Sequence, residues 1–490
     1  MDTTSDHISS SRTLFVDGAW RQAATAETFE RRNPADPDDV AGTFAEAGQA
    51  DVAEAVASAV EGQRAWAATG VLERGAVLRR MANTLRDNAS TVALQLVREE
   101  GKPRAEALGE VLRAADVFDY FGAAAARPSG VVLPSHRDGV TAVTEHRPVG
   151  VVAVITPFNF PAFVPAMKLA PALLAGNSVI WKVAPAAPGT GMYIVDLLVA
   201  AGLVPQAVNY LTGARASLGE ALVAHDSVDA ITFTGSTAVG LAIGRAAARR
   251  HARVQQEMGG KNPMVVMRGC DLDRAVRHAV DSVFGGSGQR CTSAGKLLVD
   301  SAVAPQFLEG LVAAARSLRV GNGMDPETQL GPLVDTRASE RVRGAVADAV
   351  AGGAQLLYEP DDPRHRDLPG ECFVGPYVVG DVRPGMRLFD EETFGPVAAV
   401  TTFDTLDEAI ALSRHPSYGL TASIHTNDLG VADRFMREVS TGVVNVNLPT
   451  SGVEPHIPFG GVSLSGSPHR ELGPEALSFF TTEQTRLVCT

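Results

Sequence analysis

The sequence predicts an α/β protein with two large domains, the first built on a parallel sheet covered on both faces, and with a small β extension. Three observations carry this prediction. The chain has 490 residues, which is more than one hydrophobic core usually holds. Short β-rich runs alternate with Ala- and Leu-rich helical stretches for most of its length. The β-rich runs are continuously apolar, as is typical of parallel strands covered on both faces.

The first predicted domain begins with helices and continues as strand–helix units. Residues 50–127 favour helices, and residues 128–148 favour an extended excursion. Four strand–helix units follow. Their predicted strands cover 149–157, 178–184, 207–213 and 229–235, and the helices after them cover 162–176, 189–203, 216–226 and 236–251. Ligands of such sheets bind beyond the carboxyl ends of strands, where "PFNF", "KVAP" and "TGSTAVG" occur.

The pattern restarts near residue 258 and predicts a second domain. Its first elements are a strand over 262–267, a helix over 271–285 and a strand over 294–300. The end of the chain, "ALSFFTTEQTRLVCT", is β-prone, and such strand edges commonly pair with another chain. We therefore expect a homodimer or homotetramer. The first predicted domain comprises residues 1–127 and 149–257, and the second domain comprises residues 258–455. The oligomerisation or bridging extension comprises residues 128–148 and 474–490.

Composition excludes several classes of protein. The net charge of −13 gives no support for a nucleic-acid surface. No apolar run reaches membrane-spanning length, and the polar N-terminus lacks a signal-peptide core. The cysteines are far apart and form no CxxC pair, which argues against common zinc and redox sites; they are Cys270, Cys291, Cys372 and Cys489. We expect a cytoplasmic protein without a nucleic-acid or membrane partner.

One cysteine lies among glycines in "FGGSGQRCTSAGK". A nucleophilic thiol needs access, a field that favours thiolate and donors for the oxyanion it creates, and glycines allow a substrate to approach closely. Cys291 meets this pattern, although a chance thiol in a loop is the alternative. Glu257 in "EMGGKNP" and Asn159 in "TPFNFP" are further candidates. Without the rest of the pattern, Glu257 would be interpreted as a solvent-exposed surface carboxylate and Asn159 as an asparagine in a turn.

Taken together, the motifs of this chain resemble the aldehyde dehydrogenase superfamily. They occur in the family's order: "LFVDGAW", "NPADP", "TPFNFP", "PALLAGNSVIWK", "TFTGSTAVG", "EMGGKNP", "GQRCTS", "EETFGPV" and "NLPTSGVEPHIPFGG". The interval from Glu257 to Cys291 is 34 residues, which matches the family. The resemblance implies a Rossmann-like cofactor domain, an α/β catalytic domain and a small β oligomerisation extension.

The resemblance also implies a role for each catalytic candidate. Cys291 would be the nucleophile, and Glu257 would be the base that activates the hydrolytic water. Asn159 would form the oxyanion hole together with the Cys291 N–H. An aldehyde would thus become a carboxylic acid through a thiohemiacetal and a thioester, without a metal.

The implied cofactor is NADP or NAD. The residues expected to bind it are Thr156, Pro157, Phe158, Lys182, Gly235, Ser236, Glu392 and Phe394. Lys182 would hold the adenosine ribose or its phosphate, Gly235 and Ser236 would receive the pyrophosphate at a helix N-terminus, and Glu392 would bind the nicotinamide ribose, with Phe394 beside the ring. Many NAD-preferring members carry a glutamate three residues after this lysine, where this chain has Pro185. This favours NADP, with dual use left open.

The expected substrate is a small aldehyde that carries a distal carboxylate. "NVNLPTSGVEPHIPFGG" and "NPADP" look most like the branch of 2-oxoglutarate semialdehyde (2,5-dioxopentanoate) dehydrogenases. Arg290 and, more weakly, Arg113 are candidate cations for that carboxylate; a structural ion pair and a surface salt bridge are their respective alternatives. Phe163 adds apolar surface, so an aromatic or medium-chain aldehyde stays open. The rivals to an aldehyde-oxidising enzyme are acyl transfer to coenzyme A, a non-redox thiol hydrolase and a catalytically silent scaffold.

Overall fold

The computed structural model describes residues 13–127, 130–360 and 368–489, and its α/β architecture confirms the predicted fold class. The first 12 residues, residues 128–129 and residue 490, on which parts of the predicted boundaries fall, lie outside the described ranges.

The helices follow the predicted alternation with strands. They are α1 (Gln49–Ala68), α2 (Val71–Asp87), α3 (Ala89–Glu100), α4 (Arg104–Ala124), α5 (Phe163–Ala175), α6 (Pro188–Ala200), α7 (Ala216–Ala224), α8 (Thr237–Ala248), α9 (Leu272–Phe284), α10 (Ala304–Ser317), α11 (Thr336–Ala351), α12 (Arg387–Asp390), α13 (Leu406–Ser413), α14 (Leu429–Glu438) and α15 (Ala476–Phe479). None of the helices within the described ranges is long and apolar enough to cross a membrane.

The strands belong to two large sheets, one three-stranded sheet and two small ribbons. They are β1 (Leu14–Val16), β2 (Ala19–Arg21), β3 (Thr28–Asn33), β4 (Asp36–Ala45), β5 (Val132–Leu133), β6 (Val140–Pro148), β7 (Val151–Ile155), β8 (Ser178–Lys182), β9 (Val208–Leu211), β10 (Ala230–Gly235), β11 (Arg253–Met258), β12 (Asn262–Val266), β13 (Ala294–Asp300), β14 (Gln355–Tyr358), β15 (Tyr377–Gly380), β16 (Val397–Phe403), β17 (Tyr418–Gly419), β18 (Thr421–His425), β19 (Val443–Val446), β20 (Val462–Ser463) and β21 (Thr481–Cys489).

The first large sheet has the order β11-β10-β7-β8-β9-β1-β2. Strands β7 to β11 are parallel, and β1 and β2 are antiparallel additions at one edge. Separate apolar clusters cover its two faces, which explains why β7 is apolar at every position and fully buried. The carboxyl ends of β7, β8 and β10 carry the three motifs that the sequence placed there.

The second large sheet has the order β14-β15-β16-β13-β12-β18-β19 and is parallel except for β14. It also has an apolar cluster on each face. The first sheet ends at Met258, and the second begins at Asn262, so the chain crosses between them through residues 259–261.

The third sheet joins two segments that are distant in sequence. Its order is β21-β6-β5, and β21 pairs with β6 from Thr481 opposite Pro148 to Cys489 opposite Val140. The structure corrects the expectation for the C-terminal segment in one respect. Its first residues form the short helix α15, because Phe479 packs fully buried against the first domain. The strand that follows, β21, pairs with β6 of its own chain along one edge.

Candidate active site

One cavity of about 320 Å³ brings together residues from both large domains. Its wall contains five residues that the sequence singled out, namely Arg113, Phe163, Glu257, Arg290 and Cys291. The other residues of the wall are Phe160, Val164, Met167, Thr234, Met258, Asp281, Thr292, Leu420, Pro449, Ser451, Gly452, Val453, Phe459 and Glu471. A concave, mostly apolar site with a few polar groups suits a small organic substrate.

The glycines before Cys291 pack closely against protein and shape its loop. A Cβ on Gly285 would lie 2.5–2.6 Å from the guanidinium of Arg290. A Cβ on Gly288 would lie 2.2 Å from the carbonyl oxygen of Gly395, and its φ of +68° disfavours any side chain. The loop therefore needs glycine to reach this conformation, a reason that adds to the expected approach of a substrate.

Two side chains hold the nucleophile loop from the second domain. The amide of Asn262 donates to the carbonyl oxygens of Cys291 and Ser293, each at 2.8 Å. The hydroxyl of Thr450 donates to the carbonyl oxygen of Thr292 at 2.7 Å. These bonds fix the backbone on both sides of the thiol.

The thiol of Cys291 lies in a setting that opposes ionisation. Burial, together with the nearby carboxylates of Glu392, Glu257 and Glu471 in that order, raises its pKa to about 12. The resting group is therefore a neutral thiol. Some base must accept its proton before it attacks an electrophile.

Glu257 lines the cavity and has one carboxylate oxygen that forms no hydrogen bond with the described residues. Its side chain extends from β11 and is 3% exposed. Oε2 accepts a hydrogen bond from the Gly461 N–H at 2.9 Å, whereas Oε1 is buried without a hydrogen-bond partner among the described residues. Burial raises the pKa of Glu257 well above its usual range, and the nearby charge of Glu471 adds to the effect. A carboxylate of raised pKa is a better base near neutral pH.

Two buried charged residues escaped the sequence reasoning. Glu471 lines the cavity and forms a buried ion pair with Lys168, whose ammonium also donates to the hydroxyl of Thr232 at 3.0 Å. A lysine inside the otherwise apolar run of α5 was the available signal, because such a lysine requires a buried partner. The position of Glu471, 303 residues later, carried no signal.

Asn159 lies behind the cavity wall and contacts the nucleophile loop directly. Its side-chain amide donates to the carbonyl oxygen of Gln289 at 2.8 Å, two residues before Cys291. Asn159 is 4% exposed, and the second N–H of its amide has no hydrogen-bond partner in the described part of the chain. The residue is thus a buried amide with one spare donor next to the loop of the thiol.

The residues expected to bind the cofactor occupy the carboxyl ends of strands and the facing loop. The rings of Phe158 and Phe394 meet edge to face at 5.9 Å, and Phe394 has a positive φ of 54°. The hydroxyl of Thr156 is buried and accepts from the Trp181 indole at 2.9 Å, so its side chain holds β7 to β8. Pro157, directly after it, is half-buried.

The residues at the start of α8 and at the end of β8 fit the phosphate and adenosine end of a dinucleotide. Ser236 is the N-cap of α8 but forms no side-chain cap, so the N–H groups of the first turn remain available for an anion. Gly235 precedes it, and a Cβ there would lie 2.6 Å from the ring of Phe233. The ammonium of Lys182 contacts only the carbonyl oxygen of Val183, at 3.3 Å, and within the described ranges it forms no ion pair.

Glu392 fits the ribose end of the same ligand. Its Oε1 accepts from the Gly260 N–H at 3.1 Å, and a Cβ on Gly259 would lie 2.0 Å from its other oxygen. Burial raises the pKa of Glu392 to about 7, although the hydrogen bond from the Gly260 N–H and the charge of Lys261 act to lower it. A carboxylate of this kind accepts hydrogen bonds from hydroxyl groups.

The two candidate arginines differ in what they already contact. Arg290 lines the cavity, but its guanidinium pairs with Glu106 at 3.3 Å and with Asp281 at 3.4 Å. Arg113 also lines the cavity, its guanidinium carbon lies 5.8 Å from the centre of the Phe163 ring, and no carboxylate of the described residues pairs with it. Of the two arginines, Arg113 is therefore the one without a carboxylate partner among the described residues.

Comparison with known proteins places this chain in a family. Residues 20–486 match the aldehyde dehydrogenase family. An α-ketoglutarate semialdehyde dehydrogenase of Haloferax volcanii is 40% identical, over 96% of this chain and 98% of its own. A 2,5-dioxopentanoate dehydrogenase of Saccharolobus solfataricus is 37% identical, and the match covers 94% of this chain and 96% of that protein. A betaine aldehyde dehydrogenase of Staphylococcus aureus, solved with NAD+, is 29% identical and superposes with a TM-score of 0.94 over 98% and 96%. The chain belongs to the aldehyde dehydrogenase family and is an NAD(P)-dependent aldehyde dehydrogenase.

Proposed function

We propose that this enzyme oxidises an aldehyde bearing a distal carboxylate, with 2,5-dioxopentanoate, the semialdehyde of α-ketoglutarate, as the substrate. The observation that carries this proposal is the guanidinium of Arg113, which pairs with no carboxylate of the described residues, on the wall that also contains Cys291. A charge-assisted hydrogen bond to a carboxylate suits this group. The names of the two relatives from Haloferax volcanii and Saccharolobus solfataricus support the same substrate.

The proposed chemistry begins at the thiol. The thiol of Cys291 passes its proton to solvent water, and its sulfur adds to the aldehyde carbon, so that the carbonyl oxygen becomes an oxyanion. The spare N–H of Asn159 and the backbone N–H of Cys291 stabilise that charge; one such donor typically lowers the barrier by about 3 kcal/mol. When bound, NAD(P)+ supplies the acceptor for the hydride that leaves the adduct, and a thioester remains on Cys291.

The thioester is then hydrolysed. Glu257 accepts a proton from water through Oε1, which no described residue occupies, and the resulting hydroxide adds to the acyl carbon. Cleavage of the carbon–sulfur bond releases the carboxylic acid and returns the sulfur of Cys291. Glu257 on the cavity wall favours this outcome over acyl transfer to coenzyme A. A non-redox thiol hydrolase or a silent scaffold would have no use for the dinucleotide groups around Lys182 and Ser236.

We propose that Lys182, Gly235, Ser236, Glu392 and Phe394 bind NADP in preference to NAD, with dual use possible. Pro185 places no carboxylate against a 2′-phosphate. Burial lowers the pKa of Lys182, and the nearby carboxylate of Glu46 partly offsets this. That carboxylate is occupied by the backbone N–H groups of residues 214 and 215, which leaves the lysine for a phosphate.

An aromatic or medium-chain aldehyde is the second candidate. Phe160, Phe163, Met167, Val453 and Phe459 give the cavity a broad apolar surface on which such a chain would pack. A substrate of this kind would not need Arg113. The two candidates therefore differ in their dependence on one side chain.

We also propose the cytoplasm as the location and the predicted boundaries as the division into domains. The four cysteines, all within the described residues, are free, and a thiol nucleophile persists in a reducing compartment. The two large sheets meet at residues 259–261, next to the proposed boundary at 257/258.

Substitution of Arg113 tests the substrate. For Arg113→Met we expect KM for 2,5-dioxopentanoate to rise about 10- to 100-fold, because one hydrogen bond to a charged group is worth roughly 1.5–3 kcal/mol. KM for benzaldehyde should stay unchanged. Initial rates of reduced-nicotinamide absorbance measure both, with NADP+ and NAD+ in parallel.

The matched control is Arg104→Met, which removes an exposed arginine from the first turn of the same helix. An unchanged KM for the dioxo acid in Arg113→Met would remove Arg113 from the carboxylate site. Wild-type preference for benzaldehyde or hexanal would instead overturn the proposed substrate class.

A further inference from the structure

A buried ion pair outside the cavity lies directly behind Asn159. Lys102 lies two residues before the start of α4, and its ammonium lies 2.6 Å from Oε2 of Glu110 and 3.3 Å from Glu100. The side chains of Lys102 and Glu110 are 3% and 0% exposed. Removing two charges from water costs free energy. A fully buried ion pair therefore requires further hydrogen-bond partners that offset this desolvation.

Those partners are the backbone of one short segment, residues 159–163. Lys102 donates to the carbonyl oxygen of Asn159 at 2.7 Å, and its ammonium lies 4.4 Å from the centre of the Phe160 ring. The second carboxylate oxygen of Glu110 accepts from the N–H groups of Ala162 and Phe163, at 2.9 and 3.2 Å. The pair thus grips both ends of the segment.

The grip of Glu110 also replaces a missing helix cap. Helix α5 begins at Phe163, and its N-cap, Ala162, has no side chain that could accept from the first turn. Glu110 supplies that acceptor and places a negative charge at the positive end of the helix. Lys102 compensates the charge of Glu110 and reaches the carbonyl at the other end of the segment.

We infer that Lys102 and Glu110 are positioning residues that hold the amide of Asn159 at the reacting oxyanion. This inference rests on the proposed role of Asn159 as an oxyanion donor. The amide itself is fixed at its tip by the carbonyl of Gln289, and the ion pair fixes the backbone from which it projects. A displacement of about 1 Å in such a donor can cost on the order of 100-fold in rate.

A double-mutant cycle between Lys102→Met and Asn159→Ala tests the inference. The measured quantity is the rate at which reduced cofactor appears in a single turnover with excess enzyme. We expect a fall of about 100- to 1000-fold for Asn159→Ala, which deletes the donor. Lys102→Met should slow the same step about 10-fold or more. The double variant should be no slower than Asn159→Ala alone, because Lys102 acts through Asn159.

Each other outcome contradicts a different claim. An undiminished rate in Asn159→Ala would refute the oxyanion role itself. A slow Asn159→Ala with an unaffected Lys102→Met, or with effects that multiply in the double variant, would refute the positioning role and leave the oxyanion role intact. The dissociation constant of the oxidised cofactor should stay within about twofold in all three variants, because none of these residues is assigned to that ligand.

Two further variants separate positioning from loss of stability. Glu110→Gln keeps an acceptor for the N–H groups of α5 but removes the charge that pairs with Lys102, and it should slow the single turnover in a properly folded chain. Arg98→Met is the control. It removes a half-buried ion pair in which the guanidinium of Arg98, in the last turn of α3, lies 2.5 Å from the carboxylate of Asp39. It should lower the unfolding temperature while the single-turnover rate stays unchanged. An equal slowing in Arg98→Met would overturn the inference.

Discussion

At the scale of single residues, the site is governed by carboxylates that surround one thiol. Cys291 has Glu257, Glu392 and Glu471 near it, and burial raises the pKa of the first two carboxyl groups as well as that of the thiol. Lys168 offsets one of these charges through its ion pair with Glu471. Protons are therefore held on the site until a reaction step takes them, which is the arrangement that acid–base chemistry near neutral pH requires.

The raised pKa of Glu257 predicts the pH dependence of thioester hydrolysis. A base acts only when ionised, so the hydrolysis rate should keep rising with pH above the range of about pH 4 to 5 in which ordinary carboxyl groups ionise. Glu471→Gln removes a neighbouring negative charge, lowers the pKa of Glu257 and should move the rise to lower pH. The measurement is kcat against pH under conditions in which a burst of reduced cofactor shows that hydrolysis limits turnover. A pH profile of kcat that does not shift in Glu471→Gln would contradict the predicted effect of the Glu471 charge on the pKa of Glu257.

Sequence reasoning reached some of these residues and missed others for a physical reason. Cys291, Glu257 and Asn159 were found because glycines and prolines mark their loops. Glu471 was missed, because its buried partner Lys168 is 303 residues away in sequence. Lys102 was missed although Glu100 and Glu110 lie close in sequence, because no local pattern separates a buried lysine from a solvated one.

At the scale of elements, one face of α4 organises the site. Glu106, Glu110 and Arg113 are spaced by four and three residues, so they share a side of the helix. Glu106 accepts from the Gly286 N–H at 3.2 Å and pairs with Arg290. The helix thus contacts the nucleophile loop, the segment of Asn159 and the cavity. The sequence predicted a helix here, but its polar face was indistinguishable from a solvated one.

The edge of β21 carries the prediction about assembly. This strand has nine residues, pairs only with β6 among the described strands, and exposes Leu487 and Val488. A long open edge with apolar side chains favours pairing with another chain. We propose a homodimer or homotetramer, and light scattering should give two or four times 51.3 kDa.

Leu487→Lys with Val488→Lys should lower the mass of the assembly, because charges on an edge oppose pairing. Leu429→Lys changes an equally apolar, exposed residue on α14 and should leave the mass unchanged. A wild-type protein of single-chain mass, or a double variant that still assembles fully, would contradict this use of the edge.

At the scale of the whole molecule, two sheets supply one reaction site. Glu257 lies one residue before the end of β11 in the first sheet, and Cys291 follows α9 of the second domain. The short crossing at 259–261 connects the two domains. The alternation of strands and helices was enough to predict both sheets. It could not predict that β21 pairs with β6, because strands joined over some 340 residues leave no local pattern.

The central claim is that a carboxylate-bearing aldehyde becomes an acyl group on Cys291, which Glu257 then hydrolyses. The most direct measurement is the intact mass of Glu257→Gln after mixing with NADP+ and 2,5-dioxopentanoate, with Glu257→Gln/Cys291→Ala as the control. We predict one equivalent of reduced cofactor and one acyl group per chain, located on the peptide that contains Cys291 and absent from the control. Continuous turnover by Glu257→Gln with no acyl group on the protein would contradict the account.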